Sequence, residues 1–417
     1  MRPSLATVVE PASVLTVTTA AQETTATHAI ADLADAFRRC LWVDILPLWS
    51  TVGLEMHRGG YVETLCEAGK SPPSSRRVRV TARQIYAFSE AERLGWNSLA
   101  ARDCVRHGMQ FLLLHVSPDG FLQHTLAADD EILDADFDLY DQAFLLLALA
   151  HAARFLPERD AERRAKRLVE ALQAQFGHAS GGFIDRIGKP FPLRANPHMH
   201  LLEAGLAWVE ASADPFWRTF CNDIAALFLD HLVDREHGVL LETFDEDWSP
   251  IVDGARHVVE PGHNFEWAWL LQRWEHLCEG DAEGYAERLV SFAEASGYDP
   301  RRHVVVNTVG TDGSQIDASA RLWPQTERLK AWLSIAASTA DRRRLAAEAM
   351  AVDAANAILV YFTGRPRGMW QDVMQPDGMF SPAPVPASSL YHVVCAMSEL
   401  IRYSDDYGAG RVIATKR

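Results

Sequence analysis

Apolar positions recur at three- and four-residue spacing along almost the whole chain, and the alternation of half-buried strands is scarce. The spacing predicts twelve helices, over 27–46, 77–94, 97–116, 137–155, 158–176, 194–212, 214–233, 256–278, 281–297, 317–338, 341–363 and 386–404. No low-complexity linker separates them. A single domain over 26–417 is therefore expected, behind a flexible tail of residues 1–25.

The helices alternate in character. The even-numbered ones are rich in small, aliphatic and aromatic residues, as in ARQIYAFSEA (82–91), DLYDQAFLLLALAHAA (138–153) and NPHMHLLEAGLAWVE (196–210). Several odd-numbered ones carry a charged face, as in ERDAERRAKRLVEALQAQF (158–176) and DRRRLAAEAMAVDAANAIL (341–359). A helix apolar nearly all round is buried, and one with a polar face lies outside. Six inner and six outer helices in alternation predict an all-α (α/α)6 toroid. The loops before the inner helices are the longer, more polar ones, and such loops are where sites usually lie.

Near the start of each inner helix stands a polar or aromatic-polar residue: Arg83, Tyr140, His200, His263, Glu327 and His392. Successive gaps are 57, 60, 63, 64 and 65 residues. A near-constant period suggests repeated two-helix units and places the six side chains at one height around a central cavity. His200 precedes Glu203 by three positions, and His263 precedes Glu266 by three in EPGHNFEWAWLL (260–271). Residues three apart share a helix face, so each glutamate could orient its histidine and raise its pKa. Arg83 would be a buried cation without a local acid, and a ring carboxylate such as Glu327 or a polyhydroxyl ligand is the expected partner.

Three histidines in one ring allow metal binding or acid–base catalysis. The chain has no HExxH and no cysteine-rich cluster, so proton transfer without metal or cofactor is expected. Of the aromatics Trp267, Trp323, Trp370 and Tyr391, Trp323 and Trp370 lie in polar stretches, RLWPQTE and GMWQDV. Indole faces beside hydroxyl-binding groups suit a sugar. No phosphate-cradling glycine loop of the Walker or Rossmann type is present.

Composition narrows the partners. The formal charge is −16 over 417 residues, which argues against nucleic acid or an anionic membrane as the main partner. The basic run SRRVRV (75–80) reads as a solvated helix start. None of the six cysteines pairs in a CxxC spacing, which fits a reducing compartment. No apolar run approaches a membrane span, and Glu10 and Pro11 interrupt the apolar N-terminal stretch. A cytoplasmic protein is expected, monomeric or homo-oligomeric.

Taken in order, ARQIYAFSEA, NPHMHLLEA, PGHNFEWAWLL, RLWPQTE and LYHVV resemble the N-acylglucosamine 2-epimerase superfamily. The resemblance covers about residues 40–404 and is strongest toward its mannose isomerase branch. It implies the (α/α)6 barrel, with His263 and His392 as the acid–base pair and His200 as a third site histidine. It further implies Arg83 at a substrate oxygen, sugar contacts from Asn196, Trp323 and Gln371, and support of His263 by Glu266. One departure is DGFLQHTL (119–126), where an aromatic that often contacts substrate is missing.

The expected activity is interconversion of free D-mannose and D-fructose, with D-lyxose as a second candidate substrate. His392 is assigned to the C1/C2 proton and His263 to ring opening and proton supply at oxygen, the reverse assignment being the alternative. With Arg83 as a single committed cation, free mannose should be preferred over mannose 6-phosphate. The competing readings are 2-epimerisation of an aldose or an N-acylated amino sugar, and a sugar-binding protein without catalysis. The last would keep Arg83 and Trp323 but need no paired histidines.

Overall fold

The computed structural model describes residues 20–407, apart from 73, 135, 156–159, 253 and 255. Twelve long helices account for most of them. The outer set is α1 (Ala20–Arg39), α3 (Ser98–Leu114), α5 (Asp160–Gln175), α7 (Pro215–Leu227), α9 (Tyr285–Gly297) and α11 (Asp341–Val360). The inner set is α2 (Val78–Arg93), α4 (Leu139–Ala152), α6 (Ala195–Ala211), α8 (Pro261–Cys278), α10 (Leu322–Ser338) and α12 (Leu390–Tyr407). They form the (α/α)6 toroid that the alternation of helix character predicts. Helix α1 begins inside the stretch read as a tail; residues 1–19 and 408–417 lie outside the described residues. No described helix is long and apolar enough to cross a membrane.

Local chemistry explains the boundaries. Asn97, Asp138 and Asp214 accept backbone N–H bonds at the starts of α3, α4 and α7, satisfying donors that the first turn leaves open. Proline opens α7 and α8, where its missing N–H costs nothing. Inner and outer helices lock together through aromatic stacks, Trp208 on Trp217 and Trp267 on Phe228, with centroids 4.9 and 4.6 Å apart. The fully buried Arg328 of α10 reaches both outer neighbours, Glu294 of α9 and Asp353 of α11, each at 2.6 Å.

A belt of very short strands rings the end where the inner helices begin. The two residues before α2, Arg76–Arg77, pair with Thr125–Leu126 of the loop leading to α4. Asp138, before α4, bridges to Arg186 of the loop leading to α6. Leu193–Arg194 then pairs with Thr243–Phe244, Val258–Val259 with Val309–Gly310, and Ala320–Arg321 with Val373–Met374. Val385–Pro386 closes the ring on Thr64–Leu65. A side chain near the start of five inner helices pins the belt: Gln84, Gln142, His198, Asn264 and Gln325 each bond loop backbone. His198 is thereby a satisfied structural histidine, with Nδ1 on the Arg194 carbonyl at 2.9 Å and Nε2 accepting from Phe183 N–H at 3.0 Å.

Candidate active site

The belt holds six helix starts at one height, and five of the six ring residues line a single cavity of about 240 Å³: Arg83, Tyr140, His200, His263 and His392. Asn196, Glu266 and Trp323 line it too. Gly262 explains part of the Pro-Gly corner before His263: a Cβ there would lie 2.5 Å from the Trp323 indole, so glycine lets α8 and α10 approach. Trp323 stands between the two histidines, 5.0 Å from the His263 ring and 5.8 Å from that of His392.

Each site histidine is held through Nδ1 by a carboxylate. His392 meets Glu327 at 2.8 Å, His200 meets Glu203 at 3.1 Å, and His263 meets Glu242 at 2.8 Å. The ring is thus fixed; Nε2 of His392 and His200 is left for the cavity, and that of His263 lies 3.2 Å from the Asn196 amide. Glu327 itself lies behind His392, fully buried, with Lys330 at 2.5 Å. Glu203 likewise lies behind His200 and accepts from the Tyr391 hydroxyl. Both glutamates are therefore positioning groups in this geometry: Glu203 holds His200 as the spacing reads, and Glu327 holds His392.

The histidines differ in charge. Burial, then the cations Arg83 and Lys330, holds His392 well below the usual imidazole range. Burial also lowers His200, to about 4, against the pull of Glu203. Burial would lower His263 as well, but Glu260 and Glu242 outweigh it and push the ring up to about 10. The cavity therefore joins an imidazole held low, His392, with one held high, His263. Pairs of titratable groups pushed apart in this way mark acid and base roles.

Glu266 behaves differently from the expectation. It makes no hydrogen bond to His263, whose carboxylate partners are Glu242 and, at 3.8 Å, Glu260. Burial, then the neighbouring Glu327, raises the Glu266 carboxyl well above its ordinary value. Lys330 sits on Glu327, so of the two the proton belongs on Glu266. Three buried polar atoms on cavity-lining residues lack a hydrogen-bond partner among the described residues: Arg83 Nε, Asn196 Oδ1 and Glu266 Oε1. Buried polar groups are seldom left unpaired, and their gathering here marks a place for a polar ligand.

Arg83 has no carboxylate within ion-pair reach among the described residues. Its guanidinium donates to Tyr140 Oη and the Ser388 carbonyl and lies 4.3 Å from the Phe144 ring centroid. The expected partnership with Glu327 does not form. Nor is Arg83 the cavity's single arginine: Arg77, Arg79 and Arg321 line it as well. Each of these faces a carboxylate, Glu63 for Arg77, Asp141 at 2.8 Å for Arg79, and Asp372 at 3.8 Å for Arg321. Arg83 is thus the uncommitted cation.

Two expected contacts are not brought to the cavity. The Gln371 amide donates to the Thr363 carbonyl at 3.1 Å, away from the lining. Trp370 is fully buried against Trp49, with centroids 5.2 Å apart, and Trp267 belongs to the core. From the departing segment 119–126, His124 reaches Arg79 at 3.3 Å. Glu242 was missed, because its partner lies 21 positions away and meets it only across the belt.

Three His/carboxylate sets among the described residues bring donor atoms within 4.8 Å of one another: His200–Glu203–Glu266, Glu242–Glu260–His263 and Glu266–Glu327–His392. In each, the histidine Nδ1 is already engaged by a carboxylate. A second cavity, about 370 Å³, opens at the opposite end of the barrel. Its cations Arg402 and Arg273 are spent on Glu90 and Glu210 at 2.6 and 3.0 Å.

The chain is 42% identical to a mannose-6-phosphate isomerase of Rhizobium meliloti over 362 residues, covering 85% of this chain and 93% of that protein. It is 27% identical to a D-mannose isomerase of Thermobifida fusca over 57% of this chain and 63% of the other. The solved cellobiose 2-epimerase of Spirochaeta thermophila superposes with a TM-score of 0.81 at 23% identity, covering 92% of this chain and 99% of that one. The family model of N-acylglucosamine 2-epimerase (GlcNAc 2-epimerase) matches residues 59–396, and the chain belongs to this family of sugar isomerases and epimerases.

Proposed function

We propose that the protein interconverts D-mannose and D-fructose by proton transfer through an enediolate. The observation that carries this reading is that His392, His263 and the uncommitted Arg83 line one cavity, each histidine held by its own carboxylate and the two pushed in opposite directions from the ordinary imidazole range. His263 assists ring opening by supplying a proton at oxygen. His392 Nε2 removes the C2 proton, acidified by the C1 carbonyl, and returns it to C1, while His263 gives a proton to O1 and takes one from O2. Arg83 stabilises the oxyanion that develops between, as a fixed cation in a water-poor site does. Neutral Glu266 offers a hydrogen bond to a sugar hydroxyl. The relatives named for mannose isomerisation favour the ketose product. The 2-epimerase reading keeps one argument, since a base and an acid on either side of Trp323 could also serve C2 from two faces. D-Lyxose, with the same configuration at C2 and C3, is the second substrate proposed.

Free mannose should be turned over much better than mannose 6-phosphate. A phosphate brings a charge of about −1.5 to −2, and all lining arginines but Arg83 already face carboxylates. Assay of both sugars for ketose formation checks this. The Rhizobium meliloti relative is named for the phosphorylated sugar, so equal or higher kcat/KM on the phosphate would replace free mannose as the substrate.

Turnover is also proposed to need no metal. A proton beside a carbonyl is acidic enough for imidazole chemistry without a Lewis acid. Exhaustive chelation should leave kcat unchanged; loss of activity restored by one divalent ion would overturn the metal-free route.

A further inference from the structure

We propose that Glu242 is the positioning residue that fixes the ring of His263 and keeps it in its acid form during turnover. This rests on the acid role given to His263 above. Glu242 lies between the short strand Val239–Leu240 and the belt strand Thr243–Phe244, not on any inner helix. It is nonetheless clamped by two of them. Its carbonyl accepts from Ala195 N–H at the start of α6, at 3.1 Å, and its Oε1 accepts from Glu260 N–H at the start of α8, at 3.0 Å. Its Oε2 is then left aimed at His263 Nδ1, 2.8 Å away. With its backbone and its Oε1 both fixed, the carboxylate needs little further side-chain ordering to accept the hydrogen bond from His263 Nδ1–H.

The other groups around His263 accommodate the charged form. From α6, Asn196 places its amide 3.2 Å from Nε2, and its Oδ1 has no partner among the described residues. An imidazolium donates through both nitrogens; in the unliganded site the amide turned to present Oδ1 would accept from Nε2–H, and a substrate oxygen takes that place during turnover. His200, also on α6, is neutral by burial and adds little repulsion. On α8 itself Glu260 stands 3.8 Å from Nδ1 and Glu266 one turn deeper. From the start of α10, Arg321 acts on Glu260 and Trp323 supplies an uncharged face. Glu242 is therefore the anion in direct hydrogen-bond contact with the ring.

The test is the ionisation of His263 in Glu242→Gln, Glu242→Asp and Glu266→Gln, read by nitrogen-15 NMR of histidine-labelled full-length protein, with the resonance assigned by its loss in His263→Gln. This readout needs no substrate, so it stands or falls separately from the isomerase reading. The parent ring should titrate near 10. Glu242→Gln should move that titration down by about 1–3 units, the usual effect of losing an adjacent opposite charge. The alkaline limb of kcat should follow it. Glu242→Asp keeps the charge and should restore most of the shift, whereas Glu266→Gln should move it less than Glu242→Gln. A His263 titration unmoved in Glu242→Gln overturns the proposal, as does a larger shift in Glu266→Gln. If Glu242→Gln does not fold, Glu242→Ala decides: a His263 titration lowered by about 1 unit or more supports the proposal, and one that stays at the parent's value refutes it.

Discussion

His392→Ala is expected to lower kcat on D-mannose by about 10²–10⁴, the usual contribution of a positioned acid–base group, with a smaller change in KM. Two features support this residue as the proposed base. Its ring is held by Glu327 through Nδ1, so Nε2 is the nitrogen presented to substrate. Burial and the cations Arg83 and Lys330 keep it neutral, well below the usual imidazole range. Activity should therefore persist as pH falls through 6.5, where an ordinary histidine base would be lost. Removing the ring leaves Glu327 still paired with Lys330, so the variant should fold. Steady-state kinetics with circular dichroism checks both statements. A kcat within fivefold of the parent's would remove His392 from the proton-transfer step.

Arg83→Met is expected to cut kcat by about 10²–10³, the scale seen when one preorganised oxyanion donor is lost, while leaving the melting temperature no lower than the parent's. The second half follows from its surroundings. Arg83 is buried, has no carboxylate partner among the described residues, and carries an unpaired Nε. A buried ion without a counter-ion destabilises the fold, and replacing it with an apolar chain of similar length is often neutral or favourable. The loss of its contact with the Phe144 face opposes this, by about 0.5–2 kcal/mol. A site that gives up stability for chemistry is what a catalytic cation should look like. Thermal melts and kinetics on the same sample measure both signs. A large fall in melting temperature with kcat preserved would make Arg83 a structural residue.

Much of this was legible in the sequence because it is local and periodic. The three- to four-residue repeat of apolar positions marks the twelve helices, since burial of one face or all faces is written directly into that spacing. The predicted span 77–94 meets α2 at Val78–Arg93, and 194–212 meets α6 at Ala195–Ala211. The recurring polar position at each inner helix start marks the cavity, because the barrel's repeat sets those positions at one height. The belt is different. Its strands are two or three residues long, too short to show an alternation, and each is defined by a partner in the next loop. Glu242 falls in that blind region. Glu266 makes no hydrogen bond to His263 for a geometric reason: residues three apart share a face, but the second lies a turn deeper, from where it acts on the ring only through its field. Here that turn carries Glu266 toward Glu327 and Lys330. His200 and Glu203 do meet across the same spacing. The spacing alone cannot distinguish the two cases. Trp370 shows the converse error, since a polar sequence neighbourhood did not stop its indole from burying against Trp49.

Isomerase and epimerase share the ring opening and the enediolate, and they part where the proton returns. An isomerase delivers it to C1; an epimerase delivers it to C2 from the opposite face. The order in which products form therefore decides between them. The direct measurement is the early time course of D-mannose turnover in heavy water, followed by NMR that resolves fructose, glucose and the label at each carbon. Fructose should form first, with any solvent deuterium at C1 and glucose absent at early times. Glucose appearing first with deuterium at C2, and fructose only as a trace, would show that His263 and His392 serve C2 from its two faces, and would contradict the isomerase assignment.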